Sequence, residues 1–288
     1  MKGIILAAGR GTKLFPATVP VCKPLLTVYD KPMIYYPLSL LIDCGITEIL
    51  IITPPGEMEP FVRMFGDGED LGINISYKEQ KVQRGIADAF RVGRRFIGDD
   101  SVCLALGDNI FYHPELTKML MEARGDETGA SVFAYFVDDP RAYGVVELDV
   151  GEVPVSLEEK PKRPRSNYIV PGLYFYDNSV VEIAHNMAVS ARGELEITDL
   201  NQVYLKKGKL KVTRLPADVK WMDANSPFQL LYAADTIHEI QKETGRYVGC
   251  PEESAYRAGL ITKKDVLRIG LFAKMNAIYK HHPAFLIV

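Results

Sequence analysis

The chain has 288 residues, 47% of them hydrophobic and 25% charged, with a formal net charge of −3. That length can bury a complete α/β core as one large domain or two. The near-neutral charge offers no electrostatic footprint for nucleic acid or an anionic membrane, so any phosphate binding has to be local.

In chain order, "KGIILAA" is short and apolar, as a strand buried on both faces would be. "MIYYPLSLLIDCG" has helical spacing and stops at Gly45, which suits a C′ position. "TEILIIT" predicts the next strand, "EMEPFVRMFGDG" a helix, "INISYKEQ" a strand, "GIADAFRVGRRFI" a helix and "SVCLALGDN" a strand. Short connections between alternating strands and helices predict a parallel, doubly wound sheet. From about Gly129 the segments "ASVFAYFV", "GVVELDV", "VPVSLEEK" and "YIVPGLYFYD" predict strands in a mixed or antiparallel extension. Helical spacing returns at "SVVEIAHNM", "ELEITDLNQVYLKKG", "FQLLYAADTIHEIQKETG" and "TKKDVLRIGLFAKM".

The expected fold class is therefore α/β, a doubly wound, Rossmann-like mixed sheet with a helical C-terminal extension. Its core covers residues 1–225, with halves of about 1–128 and 129–225, and residues 226–288 form the extension of the same compact unit. Cys22, Cys44, Cys103 and Cys250 lack metal-ligand spacing and read as free thiols of a reducing compartment. With no leader-like start and no apolar run long enough to span a bilayer, a cytoplasmic, soluble protein is expected.

The stretch "LAAGRGTKLFPATVPVCKPLL" follows the first strand. It has neither P-loop spacing nor the third glycine of the dinucleotide fingerprint. The physics is nonetheless that of an anion loop. Gly9 and Gly11 permit positive φ and close backbone approach, Thr12 is placed to cap the following turn, and Lys13 and Lys23 add mobile positive charge. The same residues also suit a plain strand-to-helix turn with solvated lysines. Asp108, in "LALGDN", stands at the carboxyl end of a buried strand, where open α/β sheets bind ligands, but an Asp-Asn pair also makes turns. Asp223 follows the only tryptophan, in "KWMD". His113, His185 and His238 stand alone, His281 and His282 lie in the tail, and "LYFYD" reads as core.

"GIILAAGRGTKLFP…CKPLL" resembles the signature of the sugar-1-phosphate nucleotidyltransferases. "YDKPMIYYPLSLLIDCGITEILIIT", "QKVQRGIADAF", "LGDNIFY", "EEKPKRPRSNYIVPGLYFYDN", "ARGELEITDLN" and "CPEESAYRAGLI" extend the resemblance over all but the last twenty or so residues. The nearest likeness is to short bacterial glucose-1-phosphate thymidylyltransferases. The resemblance implies Mg²⁺-dependent transfer of a nucleotidyl group from dTTP to glucose 1-phosphate, giving dTDP-glucose and pyrophosphate by direct in-line attack. Phosphate monoesters are competent nucleophiles near neutral pH, so positioning and charge neutralisation carry such a step.

The resemblance also implies site roles. Lys13, Lys23, Asp108, Lys160 and Asp223 are the implied catalytic residues, with Asp108 and Asp223 holding Mg²⁺, for which two carboxylates and water are suited. Ala8, Gly9, Gly11, Thr12, Lys13, Gln80, Gly85 and Asp108 match nucleotide positions. Gln80 would read the pyrimidine edge, since an amide both donates and accepts; Gln83 competes on chemistry alone. Gly144, Glu159, Lys160, Val170, Arg192 and Glu194 match positions around the hexose and its phosphate. A homotetramer is implied too, and "PAFLIV" near the C-terminus suits an interface.

Four departures stand out. Ala8 replaces a glycine, Lys13 an arginine with its planar two-pronged donor, Pro24 a glutamine, and "WMDANSPFQ" a turn with a Thr-Gly-Thr sequence. They keep two alternatives open: the same reaction class with UTP or another hexose 1-phosphate, and a catalytically weak paralogue that binds nucleotide sugars.

Overall fold

The computed structural model describes residues 1–125 and 128–272; the "PAFLIV" stretch, His281 and His282 lie outside them. The first half contains β1 (Lys2–Leu6), β2 (Thr27–Val28), β3 (Lys31–Pro32), α1 (Tyr35–Asp43), β4 (Glu48–Thr53) and α2 (Met58–Phe65). It continues with β5 (Asn74–Glu79), α3 (Asp88–Ile97), β6 (Val102–Leu106), β7 (Asn109–Tyr112) and α4 (Leu116–Arg124). The second half contains β8 (Ala130–Phe136), β9 (Gly144–Leu148), β10 (Pro154–Glu159), β11 (Tyr168–Ile169), β12 (Leu173–Tyr176), α5 (Ser179–Asn186) and α6 (Ile197–Lys206). After these come β13 (Leu210–Arg214), β14 (Lys220–Asp223), α7 (Pro227–Thr244), α8 (Pro251–Arg257) and α9 (Lys263–Phe272).

The main sheet runs β10-β9-β11-β8-β12-β6-β1-β4-β5, with β13 beside β8. Strands β5, β4, β1 and β6 are mutually parallel, whereas β12 is antiparallel to both β6 and β8. The expected mixed, doubly wound sheet is what the chain forms. Alternate side chains of each strand face opposite layers. Ile5, Ile51 and Cys103 pack with Leu38 and Leu41 of α1, Phe61 of α2 and Leu120 of α4. Ile4, Leu50 and Leu104 pack with Phe90 of α3, Val180 of α5 and Leu200 of α6. Two covered faces explain why these strands read as unbroken apolar runs.

Strand β1 leads to β4 on one side and pairs with β6 on the other. The chain therefore reverses direction across the sheet between β1 and β6, and the crevice at their carboxyl ends is the expected place for a ligand. A two-stranded ribbon of β7 and β14 stands over it and puts Asp223 opposite Asn109. A third apolar cluster, with Met33, Ile110, Met222, Ala233 and Ile237, fastens this ribbon to α7.

Some expectations need correction. "YIVPGLYFYD" is two strands, because Pro171 and Gly172 interrupt it. His113 is paired, its Nε2 lying 3.2 Å from Asp218. All four cysteines are free and buried. No described helix is long and apolar enough to cross a membrane.

Candidate functional site

The glycine loop after β1 is built around Gly11. Its φ of +62° places it in the left-handed region, where it precedes a single 3-10 turn over Thr12–Leu14. A Cβ at this position would come within 2.7 Å of the Thr18 methyl and 2.9 Å of Lys23 Cβ. Glycine here lets the loop rest directly on Lys23 and joins the two ends of the motif. The expected Thr12 cap does not form, because Gly11 is the N-cap and Thr12 already lies inside the turn. Gly9 does not adopt positive φ; its role is openness, since nothing lies within 4 Å of a Cβ added there.

Lys23 is not the mobile charge expected from sequence. Its side chain is 4% exposed, and Nζ donates to Asp108 Oδ2 at 2.5 Å and to Asn225 Oδ1. Asn225 Nδ2 in turn donates to Asp223 Oδ1. Asp108 is oriented by its neighbour, with Asn109 Nδ2 donating to Asp108 Oδ1 at 2.9 Å. Asn109 is itself anchored, its Oδ1 accepting from the Gly172 amide at 2.9 Å and from Trp221 Nε1 at 2.7 Å. Burial and then the negative charge of Asp108 push the Asp223 carboxyl up to about 6, against hydrogen bonds from Asn225 and Tyr143 that favour the carboxylate.

A cavity of about 450 Å³ gathers Lys13, Asp108, Gly144, Lys160, Val170 and Asp223. Tyr174, expected as core, is buried and also lines its wall. Lys160 has φ +46°, unusual for a residue with a side chain, and its amide donates to the Tyr143 carbonyl at 2.9 Å. Glu159 accepts from Thr198 Oγ1 at 2.5 Å and lies 3.7 Å from Lys160 Nζ. A Cβ on Gly144 would sit 2.6 Å from Thr198 Oγ1 and 3.3 Å from Glu159 Oε2, so this approach too requires glycine. Arg192 and Glu194 stand behind that wall: Arg192 Nη1 is 3.4 Å from Glu159, and its other nitrogens are 3.5 Å from Glu194 and 3.6 Å from the buried Glu196.

A second cavity, of about 710 Å³, opens beside the glycine loop and is lined by Gly9, Arg10, Thr12, Pro54, Lys81 and Gln83, among others. Gln83 Nε2 donates to the Ala8 carbonyl. Gln80 lies deeper, 3% exposed, donating to Asp88 Oδ2 at 3.0 Å and to the Gly85 carbonyl at 3.4 Å. Of the two glutamines weighed from sequence, Gln83 lines this cavity and Gln80 is held behind it. Pro24 is buried in its own 3-10 turn and lines neither cavity.

Sequence reasoning did not single out Arg10, Asn109, Tyr143, Thr198 or Asn225. Asn109 and Asn225 were detectable as amides beside motif aspartates. Thr198, on α6, and Tyr143, immediately before β9, reach the site only through tertiary packing and carried no local signal.

The carboxylate pair is chemically suited to a hard divalent cation. Two acids face a shared space, one raises the proton affinity of the other, and a buried ammonium partly neutralises them. Among the described residues no group of three or more His, Cys, Asp or Glu side chains converges on a metal position. Such an ion would complete its shell with water and substrate oxygens.

A family model described as nucleotidyl transferase matches residues 2–240. The glucose-1-phosphate thymidylyltransferase of Mycolicibacterium smegmatis is 52% identical over 261 residues, covering 91% of this chain and 90% of that protein. The enzyme of the same name from Neisseria gonorrhoeae is 50% identical over 266 residues, covering 92% of each. Among solved structures, a Bacillus anthracis protein assigned as a glucose-1-phosphate thymidylyltransferase, in complex with sucrose, superposes with a TM-score of 0.76 at 39% identity. It covers 82% of this chain and 94% of its own. A UDP-glucose pyrophosphorylase complexed with UDP-glucose has a TM-score of 0.73 at 22% identity, over 83% of this chain and 98% of that one, a likeness of fold.

Proposed function

Because the chain belongs to the nucleotidyl transferase family, we propose that it joins glucose 1-phosphate to the nucleotidyl group of dTTP. A phosphate oxygen of the sugar phosphate attacks the α-phosphorus in line, the bond from that phosphorus to the bridging oxygen breaks, and pyrophosphate departs. The observation that carries this reading is the convergence of Lys13, Asp108, Lys160 and Asp223 on one cavity at the switch point of the sheet.

The glycine loop and the cavity beside it accommodate the triphosphate, with backbone amides at Gly9, Gly11 and Thr12 available to its oxygens. Lys23, fixed between Asp108 and Asn225, offers its charge to the α-phosphate. Lys160, aimed by its left-handed backbone, neutralises the attacking sugar phosphate. Lys13 balances charge developing on the leaving group. Glu159, held by Thr198 and Arg192, takes the sugar hydroxyls. Asp108 and Asp223 are the residues that would hold Mg²⁺, which when bound supplies charge neutralisation between the reacting phosphates. Pyrophosphate release from dTTP and glucose 1-phosphate tests the proposal, with the Asp108→Asn protein as blank.

The same chemistry with UTP or another hexose 1-phosphate is a second reading. It is favoured by Asn225, which lines the same cavity and belongs to a turn that departs from the sequence the resemblance implies. Product analysis across several substrate pairs separates the two.

A further inference from the structure

We propose that Asn225 is a positioning residue that holds Lys23 and Asp223 in register for the transfer, an inference that rests on the function proposed above. Its amide bridges the two: Oδ1 accepts from Lys23 Nζ and Nδ2 donates to Asp223 Oδ1. The partners fix the orientation of the amide, because an ammonium only donates and a carboxylate only accepts.

The arrangement answers a specific problem. Lys23 is buried beside Asp108, and Asp223 belongs to the same cluster. An ammonium next to two carboxylates gains by settling between both, which would withdraw its charge from an incoming triphosphate and fill the space between the acids. Asn225 supplies a neutral second acceptor to the ammonium and occupies the Asp223 oxygen that would otherwise attract it. Lys23 therefore keeps one charged and one neutral partner, and Asp223 keeps a fixed rotamer. A primary amide offers both a donor and an acceptor at that point, one for each partner. Asn225 also lines the cavity together with Lys13, Asp108 and Lys160, so its effect is felt where substrate lies. It comes from the "WMDANSPFQ" turn, whose backbone is secured by a Ser226 cap on Gln229 and by Pro227 in the first turn of α7.

The test compares wild type with Asn225→Ala, Asn225→Asp and Asn225→Gln. Binding of dTTP is measured calorimetrically in chelator, turnover is measured with Mg²⁺, and melting temperatures are recorded alongside. The alanine variant should bind metal-free dTTP about fivefold more weakly and lose about thirtyfold in kcat, with KM for glucose 1-phosphate within about twofold. The aspartate variant, which adds a third carboxylate against Lys23, should bind metal-free dTTP more weakly still. The glutamine variant, retaining the amide on a longer stem, should recover part of kcat. Values within about twofold of wild type for folded alanine and aspartate variants overturn the inference and leave the functional reading intact. A wild-type protein that neither binds dTTP nor releases pyrophosphate overturns both.

Discussion

The ammonium of Lys23 lies 2.5 Å from Asp108 although 85 residues separate them, and its side chain is almost entirely buried. The pair joins the glycine loop to the end of β6, the two structures that flank the switch point. It also places a fixed positive charge where a divalent ion is expected to bind. On the function proposed above, protein cation and metal ion would share Asp108.

That competition is measurable. Lys23→Met leaves Asp108 and Asp223 without a counter-charge and should destabilise the metal-free fold by about 2 kcal/mol. This is less than for a fully enclosed pair, because Asp108 is 24% exposed. Mg²⁺ should then raise the melting temperature more in the variant than in wild type, while kcat/KM falls about 10³-fold. A thermal shift no larger than in wild type would show that Lys23 and the metal do not compete.

Gly144 offers a steric test. Gly144→Ala sets a methyl against Thr198 Oγ1 and Glu159 Oε2, and displacing them should raise KM for the sugar phosphate about tenfold at nearly unchanged KM for dTTP. Adding Thr198→Ala should recover melting temperature without recovering KM, since the bond that orients Glu159 is then gone. Additive stability losses would contradict this.

The pH dependence follows from Asp223. Burial and the Asp108 charge raise its carboxyl from 3.8 to about 6, so the folded state holds this proton more tightly than the unfolded chain. Its contribution to stability therefore falls as pH rises from 3.8 to about 6 and is constant above that. A metal bound at Asp223, as proposed, would have to displace the same proton. Half-saturating Mg²⁺ should rise as pH drops below about 6, approaching tenfold per pH unit. In Asp108→Asn the dependence should move to lower pH. A midpoint flat between pH 5 and 7 would refute the assignment.

Lys13 lines the reaction cavity but lacks the two-pronged donor of arginine. Lys13→Arg should raise kcat about tenfold, and Lys13→Ala should lower it about a hundredfold. Steady-state rates at saturating substrates decide this, and an unchanged rate in both variants would remove Lys13 from the chemistry.

Strands β1, β4 and β6 were legible because strands covered on both faces are continuous apolar runs, and glycine or proline follows each within three residues. Asp108 was legible for the same reason, since a strand end in such a sheet is already a ligand position. The β7–β14 ribbon was not. "NIFY" and "KWMD" are too short to show periodicity, and each acquires meaning only from a partner far along the chain. Lys23 was legible as a cation but not as a buried one, because burial came from the loop folding over Gly11. The amide of Asn225 signals a turn locally; its bridging role exists only once Lys23 and Asp223 meet.

The most direct test is pyrophosphate release with Mg²⁺ across a grid of nucleoside triphosphates and sugar 1-phosphates, using Asp108→Asn as the blank. Turnover strongest with dTTP and glucose 1-phosphate, and absent from the blank, is the predicted result. No turnover with any pair, from a folded protein that still binds nucleotide, would contradict nucleotidyl transfer as the function of this cavity.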